Sequence, residues 1–446
     1  MNQAEFDPRA GLTQAQLDAY WMPFTGNRQF KKDPRIMVRA EGKYYFSADG
    51  RRIFDGLSGL WTSGAGHARV QIIEAVNRQL STLDYAPSFQ FGHPGAFQLA
   101  ERIGSFMPEG LDRVFFTGSG SESVDTALKI ARAWWRQRGM AHKTRLIGRV
   151  KGYHGVNFGG ISVGGLAPNR GLYGGLLEAD HLRHTGLPEN TFVRGQPEYG
   201  AHLADELEQL VQLHDAATIA AVIVEPMAGS GGVWPPPAGY LQRLRELCSK
   251  HDILLIFDEV ITGFGRVGAN TGAAAFGVTP DLITLAKQLT NGVIPMGAVA
   301  ARRDIYDTFM ERGGPEYALE LPHGYTYSAH PAACAAGLAT LDLLESEGLI
   351  ERVRSTVAPL LEEAVHSLRG QAMVSDIRNF GAAAALTLEA VPGEPLRRPF
   401  EVAMRMWDKG YYVRYGGDTI QLGLPFTTEA EEIDGLVDAL AGSLAA

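Results

Sequence analysis

Lys287 stands at the end of a short apolar run, Leu282-Ile283-Thr284-Leu285-Ala286. An ammonium group there is costly to desolvate unless something compensates. The run "ILLIFDEV" (253–260) ends in Asp258-Glu259, acids that need a cation or donors if they are buried. One strand-to-strand crossover separates Asp258 from Lys287, so both fit a single rim of a sheet. "LIGRVKGYHG" (146–155) brings Tyr153 and His154 to such a rim, and "VIVEP" brings Glu225. A further run, "VFFTGSGSES" (114–123), ends in a glycine-serine turn: Ser119, Gly120 and Ser121. Ser121 is expected to cap a helix with Glu122 and Asp125 in its first turn and Val124, Ala127, Leu128, Ala131, Trp134 and Trp135 as its apolar stripe. Free backbone N–H groups, hydroxyls and the helix dipole make such a turn a phosphate cup. It is not a Walker loop, because the Gly-Lys-Ser/Thr ending is missing.

A phosphate cup, an aromatic face, a carboxylate and a lysine are the four things pyridoxal 5′-phosphate (PLP) asks of a protein. The carboxylate keeps the ring nitrogen protonated, so the ring can accept electrons from a substrate carbanion. Lys287 then need not stay a buried ammonium, because it is bound to the cofactor's aldehyde carbon. The competing motif "GFGRVG" (263–268) satisfies a dinucleotide fingerprint. It is followed by "ANTGAAAFGVTPDL", a poor helix, where the fingerprint needs a good one.

These residues must be held by a scaffold. The runs expected as strands are "DRVFFTG" (112–118), "TRLIGRV" (144–150), "AAVIVEP" (220–226), "ILLIFDEV" (253–260), "DLITLAK" (281–287) and "GAVAARR" (297–303). Most are near-continuous hydrophobic runs, as in a parallel sheet covered on both faces. Helical patterns such as "YLQRLRELCSKH" (240–251) lie between them, so the fold class is α/β, with ligands outside the carboxyl ends of the strands. Residues 35–60 hold a turn at "SADG" between two β-like runs. An alanine-rich helix opens at 331, and 370–426 reads as another α/β unit. The stretch 165–200 reads as loops. The expected division is 1–75 and 331–446 as a small domain built from both termini, and 76–330 as a large one.

The 446 residues suit two or three interlocked domains. Lys+Arg total 41 against 50 Asp+Glu, without a basic run, which argues against nucleic acid or an anionic membrane as partner. No stretch of 18 apolar residues occurs. Cys248 and Cys334 form no C-x-x-C pair. His67, His154 and His330 have glycine, alanine and proline neighbours, so no metal is assigned. A cytoplasmic protein is expected.

"FTGSGSESVDTALKIAR", "GYHG", "IFDEVITGFGR", the block from "PDLITLAKQLTNG" to "IPMGAV", and "GYTYSAHP" resemble, in order and over nearly the whole chain, the class III (ω-) aminotransferases of fold type I. "YWMPFT", "GLSGLWTSGAGH" and "VRYGGDTIQLGLP" carry a narrower likeness to the ω-amino acid:pyruvate (β-alanine:pyruvate) group. The resemblance implies that Lys287 is the Schiff-base and proton-transfer lysine and that Asp258 pairs with the ring nitrogen. Val260 and Tyr153 cover the two ring faces, and Ser119, Gly120 and Ser121 bind the phosphate. Thr326 reaches the phosphate from a partner subunit, which implies an obligate homodimer with shared sites; dimer and tetramer are not distinguished. Phe24 and Trp61 wall the substrate pocket, with Phe89 from the partner. Glu225 lies near the cofactor and Arg414, and Arg414 with Gln421 holds the substrate carboxylate. Gly118 and Gln288 depart from the family's usual Asn and Gly. Taken singly, Trp61 and Phe24 could be core aromatics and Arg414 a solvated strand residue.

The implied reaction moves an amino group from a small-molecule donor, an ω-amino acid or primary amine, to a keto acid, pyruvate. A PLP decarboxylase or aminomutase needs the same four groups. A PLP-binding regulator normally needs an added DNA-binding module, and no spare N-terminal basic domain is expected here. A nicotinamide dehydrogenase rests only on "GFGRVG".

Overall fold

The computed structural model describes residues 11–174 and 176–445. Its centre is a seven-stranded sheet in the order Arg113–Thr117, Gly297–Ala301, Leu282–Leu285, Leu254–Asp258, Ile219–Val224, Arg145–Arg149, Ala179–Leu182. The six expected strands are all present. Gly297–Ala301 runs antiparallel to both neighbours and the remaining pairs are parallel. Its exception has a simple cause. The link from Leu285 to Gly297 holds only a one-turn 3-10 helix, Lys287–Thr290, too short for the crossover that a parallel return needs.

The expectation of loops throughout 165–200 fails at Ala179–Leu182. This strand is short, polar at Asp180 and His181, and lies at the sheet edge, where those traits block further pairing and hide the strand's signal. The strands buried on both faces, Ile219–Val224 and Leu254–Asp258, are fully buried, which is why they read as unbroken apolar runs.

The N-terminal segment forms three strands where two were expected: Met37–Glu41, Tyr44–Ser47 and Arg52–Asp55. Gly42, at φ 57°, makes the extra turn. Tyr411–Tyr412 joins Arg52–Asp55 in parallel, so both ends of the chain share one sheet. A second C-terminal sheet, antiparallel, runs Val374–Phe380, Ala383–Leu388, Thr419–Gly423, Arg414–Gly416. The helix Pro331–Ser346 is apolar along most of its length and packs against Val70–Thr82 and Pro94–Phe106. Among the described residues no helix is long and apolar enough to cross a membrane.

Candidate active site

The carboxyl ends of the parallel strands converge on one rim. The strand Arg113–Thr117 feeds the helix Gly120–Gln137. The cap is Ser119, not Ser121 as expected: its backbone is extended and its Oγ accepts from Glu122 N at 3.2 Å. Glu122 folds back to accept from Gly118 N at 2.6 Å. Ser121 lies two residues past the cap, inside the helix, and its hydroxyl accepts from Val156 N (3.1 Å) beside the "GYHG" loop. The backbone N–H groups of Gly120 and Ser121 have no acceptor among the described residues.

Two glycines let these pieces meet. A Cβ on Gly120 would stand 2.9 Å from Val260 Cγ1 and 3.6 Å from Ala286 Cβ. A Cβ on Gly155, itself at φ 85°, would run into Ser121. The glycine-serine turn, the Tyr153–Val156 loop, Val260 and the residue before Lys287 therefore form one cradle. Its free N–H groups at a helix start fit a phosphate.

Asp258 is buried at the end of its strand and held from three sides. Thr284 Oγ1 (3.0 Å) and Val260 N (3.2 Å) donate to Oδ1, and His154 Nδ1 lies 2.8 Å from Oδ2. Glu259, the next residue, points the other way. It accepts from Ala273 N (2.8 Å), Thr262 Oγ1 (2.8 Å) and Gly272 N, fixing the start of the helix Gly272–Phe276. Glu225 accepts from Tyr153 N (2.9 Å) and Gly229 N (3.1 Å). Burial, with the Asp258 charge nearby, pushes its carboxyl up to about 7.

Lys287 opens its 3-10 turn in the left-handed region, at φ 49°. Its amine has no hydrogen-bond or ion-pair partner among the described residues. Burial first, then the Arg414 charge, brings it down to about 8, against the pull of Asp258 and Glu225. The same charges surround Tyr153, whose hydroxyl burial pushes up. Arg414 sits on the strand facing this group, paired across the ladder with Gln421.

The structure thus brings together Lys287, Asp258, Glu225, Tyr153, Val260, Ser119, Gly120, Ser121 and Arg414. Among the described residues, the other expected side chains make no hydrogen bond to this group. Gln421 is buried, and its amide nitrogen donates to Ser230 O (3.1 Å) and Thr419 Oγ1 (3.2 Å), tying the C-terminal sheet to the loop after Ile219–Val224. Its Oε1 has no partner among the described residues. Trp61 is 1% exposed, its ring against the Cα of Gly423 and 5.6 Å from the Arg266 guanidinium. Phe24 is 72% exposed and Phe89 56%. Phe89 covers Gly324, two residues before exposed Thr326, whose carbonyl accepts from Tyr85 Oη at 2.9 Å.

Sequence reasoning missed the roles of His154 and Thr284. The sequence brings His154 to the rim but gives it no role there; in the fold its Nδ1 lies against Asp258. The usable signal for Thr284 was a hydroxyl inside an apolar run, which must find an acceptor once buried.

Residues 25–444 match the family model for aminotransferase class-III. A β-alanine–pyruvate aminotransferase of Pseudomonas aeruginosa is 56% identical over 433 residues, 97% of this chain and 96% of that one. An ω-amino acid–pyruvate aminotransferase of Pseudomonas putida is 57% identical over 98% of each chain. Among solved structures, a PLP-bound amine transaminase from an uncultivated Pseudomonas species superposes with TM-score 0.87 at 37% identity, covering 96% of this chain and 98% of that one.

Proposed function

The chain belongs to the class III aminotransferases, and on that premise we propose that it moves an amino group from an ω-amino acid such as β-alanine, or from a primary amine, to pyruvate. The products are the semialdehyde, aldehyde or ketone, and L-alanine. One observation carries this reading: an unpartnered amine, Lys287, and a guanidinium, Arg414, share a rim with a carboxylate that protein donors hold in place.

Pyridoxal 5′-phosphate, the cofactor of this family, supplies when bound an aldehyde carbon and an electron-withdrawing ring. Ser119, Gly120 and Ser121 would hold its phosphate and Tyr153 and Val260 its ring faces. Asp258 would hold its ring nitrogen, with Glu225 at the edge. Three donors already orient Asp258, so it meets a cation without rearranging. Lys287 Nζ would take the proton from the donor's amine-bearing carbon and, in the second half-reaction, deliver one to the carbon of pyruvate that becomes the amine-bearing carbon of alanine. A group lowered to about 8 holds both protonation forms near neutrality, and its fixed place gives a high effective concentration. Arg414, set beside Gln421 by the strand ladder, receives the carboxylates of β-alanine and pyruvate in turn. Trp61 and Phe24 would wall the donor pocket.

The working unit in this reading is a homodimer with shared sites, in the cytoplasm. Phe89 and Thr326, exposed on one surface, would complete the site of a second copy. The test is spectroscopic. β-Alanine should bleach the cofactor's absorbance and pyruvate should restore it, with alanine as product. Release of carbon dioxide without alanine would mean a decarboxylase.

A further inference from the structure

The turn that carries Lys287 is fastened to the loop that carries Trp61. Gln288 Oε1 accepts from Gly64 N at 2.7 Å, and its Nε2 donates to Asn291 Oδ1 at 3.3 Å. Asn291 Oδ1 also accepts from Ala65 N (3.0 Å), and Nδ2 donates to Gly66 O (2.8 Å). Ser63 Oγ donates to the Asn291 carbonyl at 3.3 Å. Two buried amides thus grip three successive residues. Gly64 permits the approach: a Cβ there would stand 2.5 Å from Gln288 Oε1 and 2.6 Å from the Phe426 ring.

The loop is held from its other side as well. Phe426 N donates to Gly64 O at 2.7 Å, and Ser58 Oγ donates to Gly423 O at 2.7 Å. Ser58, Trp61, Lys287 and Asn291 all have left-handed backbone, at φ 50°, 64°, 49° and 50°, and none is glycine. Such residues persist only where their surroundings hold them. The Trp61 ring is already against Gly423, so it can retreat only if the backbone of its loop moves. The amide clamp opposes that movement.

We infer that Gln288 and Asn291 are positioning residues that hold the Trp61 loop against the Lys287 turn, and that this clamp sets which amine donors the site accepts. The inference rests on the reading of Trp61 as a wall of the donor pocket. With the clamp intact the pocket suits a compact donor. With the clamp gone the wall recedes and a bulkier, uncharged arylalkylamine gains.

The experiment compares Gln288→Gly and Asn291→Gly holoenzymes with wild type. Asn291→Gly deletes the side chain at a position whose left-handed backbone glycine adopts freely, so the turn should keep its shape. Steady-state kinetics with pyruvate would use β-alanine and 1-phenylethylamine as donors. In both variants the kcat/KM ratio of 1-phenylethylamine to β-alanine should rise about tenfold, mostly through KM. Cofactor absorbance and borohydride trapping on Lys287 should stay as in wild type. An unchanged ratio, or an equal loss for both donors, overturns the inference and leaves the clamp a support of the fold. A wild-type enzyme that transfers from neither donor overturns the proposed function itself, and the inference with it.

Discussion

Lys287 and Glu225 leave opposite marks on stability against pH. The amine falls from 10.5 to about 8 in the fold. Below pH 8 it is charged in both states, and the folded protein bears the desolvation cost in full. Between about 8 and 10.5 the unfolded chain binds a proton that the folded chain does not, so stability climbs with pH, by about 3 kcal/mol in all. Glu225 rises from 4.5 to about 7. Between those values the folded chain holds the extra proton, so its contribution is lost as pH rises and is gone above 7. Cofactor-free Lys287→Met should therefore be more stable than wild type at pH 7 and should lack the alkaline climb, as read by urea unfolding at pH 7 and pH 10. A climb that persists would place the responsible amine elsewhere. Arg414 gives a second prediction. A charge-assisted pair is worth roughly 1.5–3 kcal/mol, or about 10- to 150-fold. Arg414→Ala should cost that factor in the half-reactions of β-alanine and pyruvate and much less with 1-phenylethylamine. Stopped-flow measurement of each half-reaction makes the comparison, and an equal loss for all three would make Arg414 a support of the fold.

At the scale of elements, the cradle depends on a helix start pressed against a strand end. A methyl on Gly120 would stand 2.9 Å from Val260. Overpacking of this kind typically costs about 1–3 kcal/mol. Gly120→Ala should therefore retain PLP about tenfold less tightly, and Gly120→Ala with Val260→Ala should recover most of the loss. Equilibrium dialysis against PLP reads both variants, and a double variant no better than the single one would show that contact with Val260 is not the cause. The strands that carry the site were legible in the sequence because burial on both faces leaves long apolar runs that stop abruptly at Asp258 and near Lys287. The edge strand Ala179–Leu182 was not, because an exposed edge selects short, polar residues. Ser119 and Ser121 have equal capping chemistry, and only the direction of the chain out of Arg113–Thr117 decides between them. The partners of Gln288 and His154 lie far along the chain, at Gly64 and Asp258, so spacing gave no hint of them.

At the scale of the whole molecule, the parallel pairing of Tyr411–Tyr412 with Arg52–Asp55 joins the two ends of the chain in one sheet. We propose on this ground that residues 1–75 and 331–446 act as one small domain beside a large one, 76–330. A site between them draws Arg414 and Gln421 from one side and Lys287 from the other. Phe24, Phe89 and Thr326 remain exposed in the single chain. If Thr326 serves the site of a second copy, each site needs Lys287 from one subunit and Thr326 from its partner. Lys287→Ala and Thr326→Arg homodimers should then both be inactive, the second because a bulky cation replaces a small hydroxyl at the phosphate. Unfolded together and refolded as an equal mixture, half the dimers should be mixed. In each mixed dimer one site carries both lesions and the other carries neither. Activity should return to about one quarter of the wild-type value in a closed two-fold dimer. Separately tagged subunits let mixed dimers be isolated and assayed. Mixed dimers without activity, or a Thr326→Arg homodimer that works normally, would mean that each chain builds its site alone.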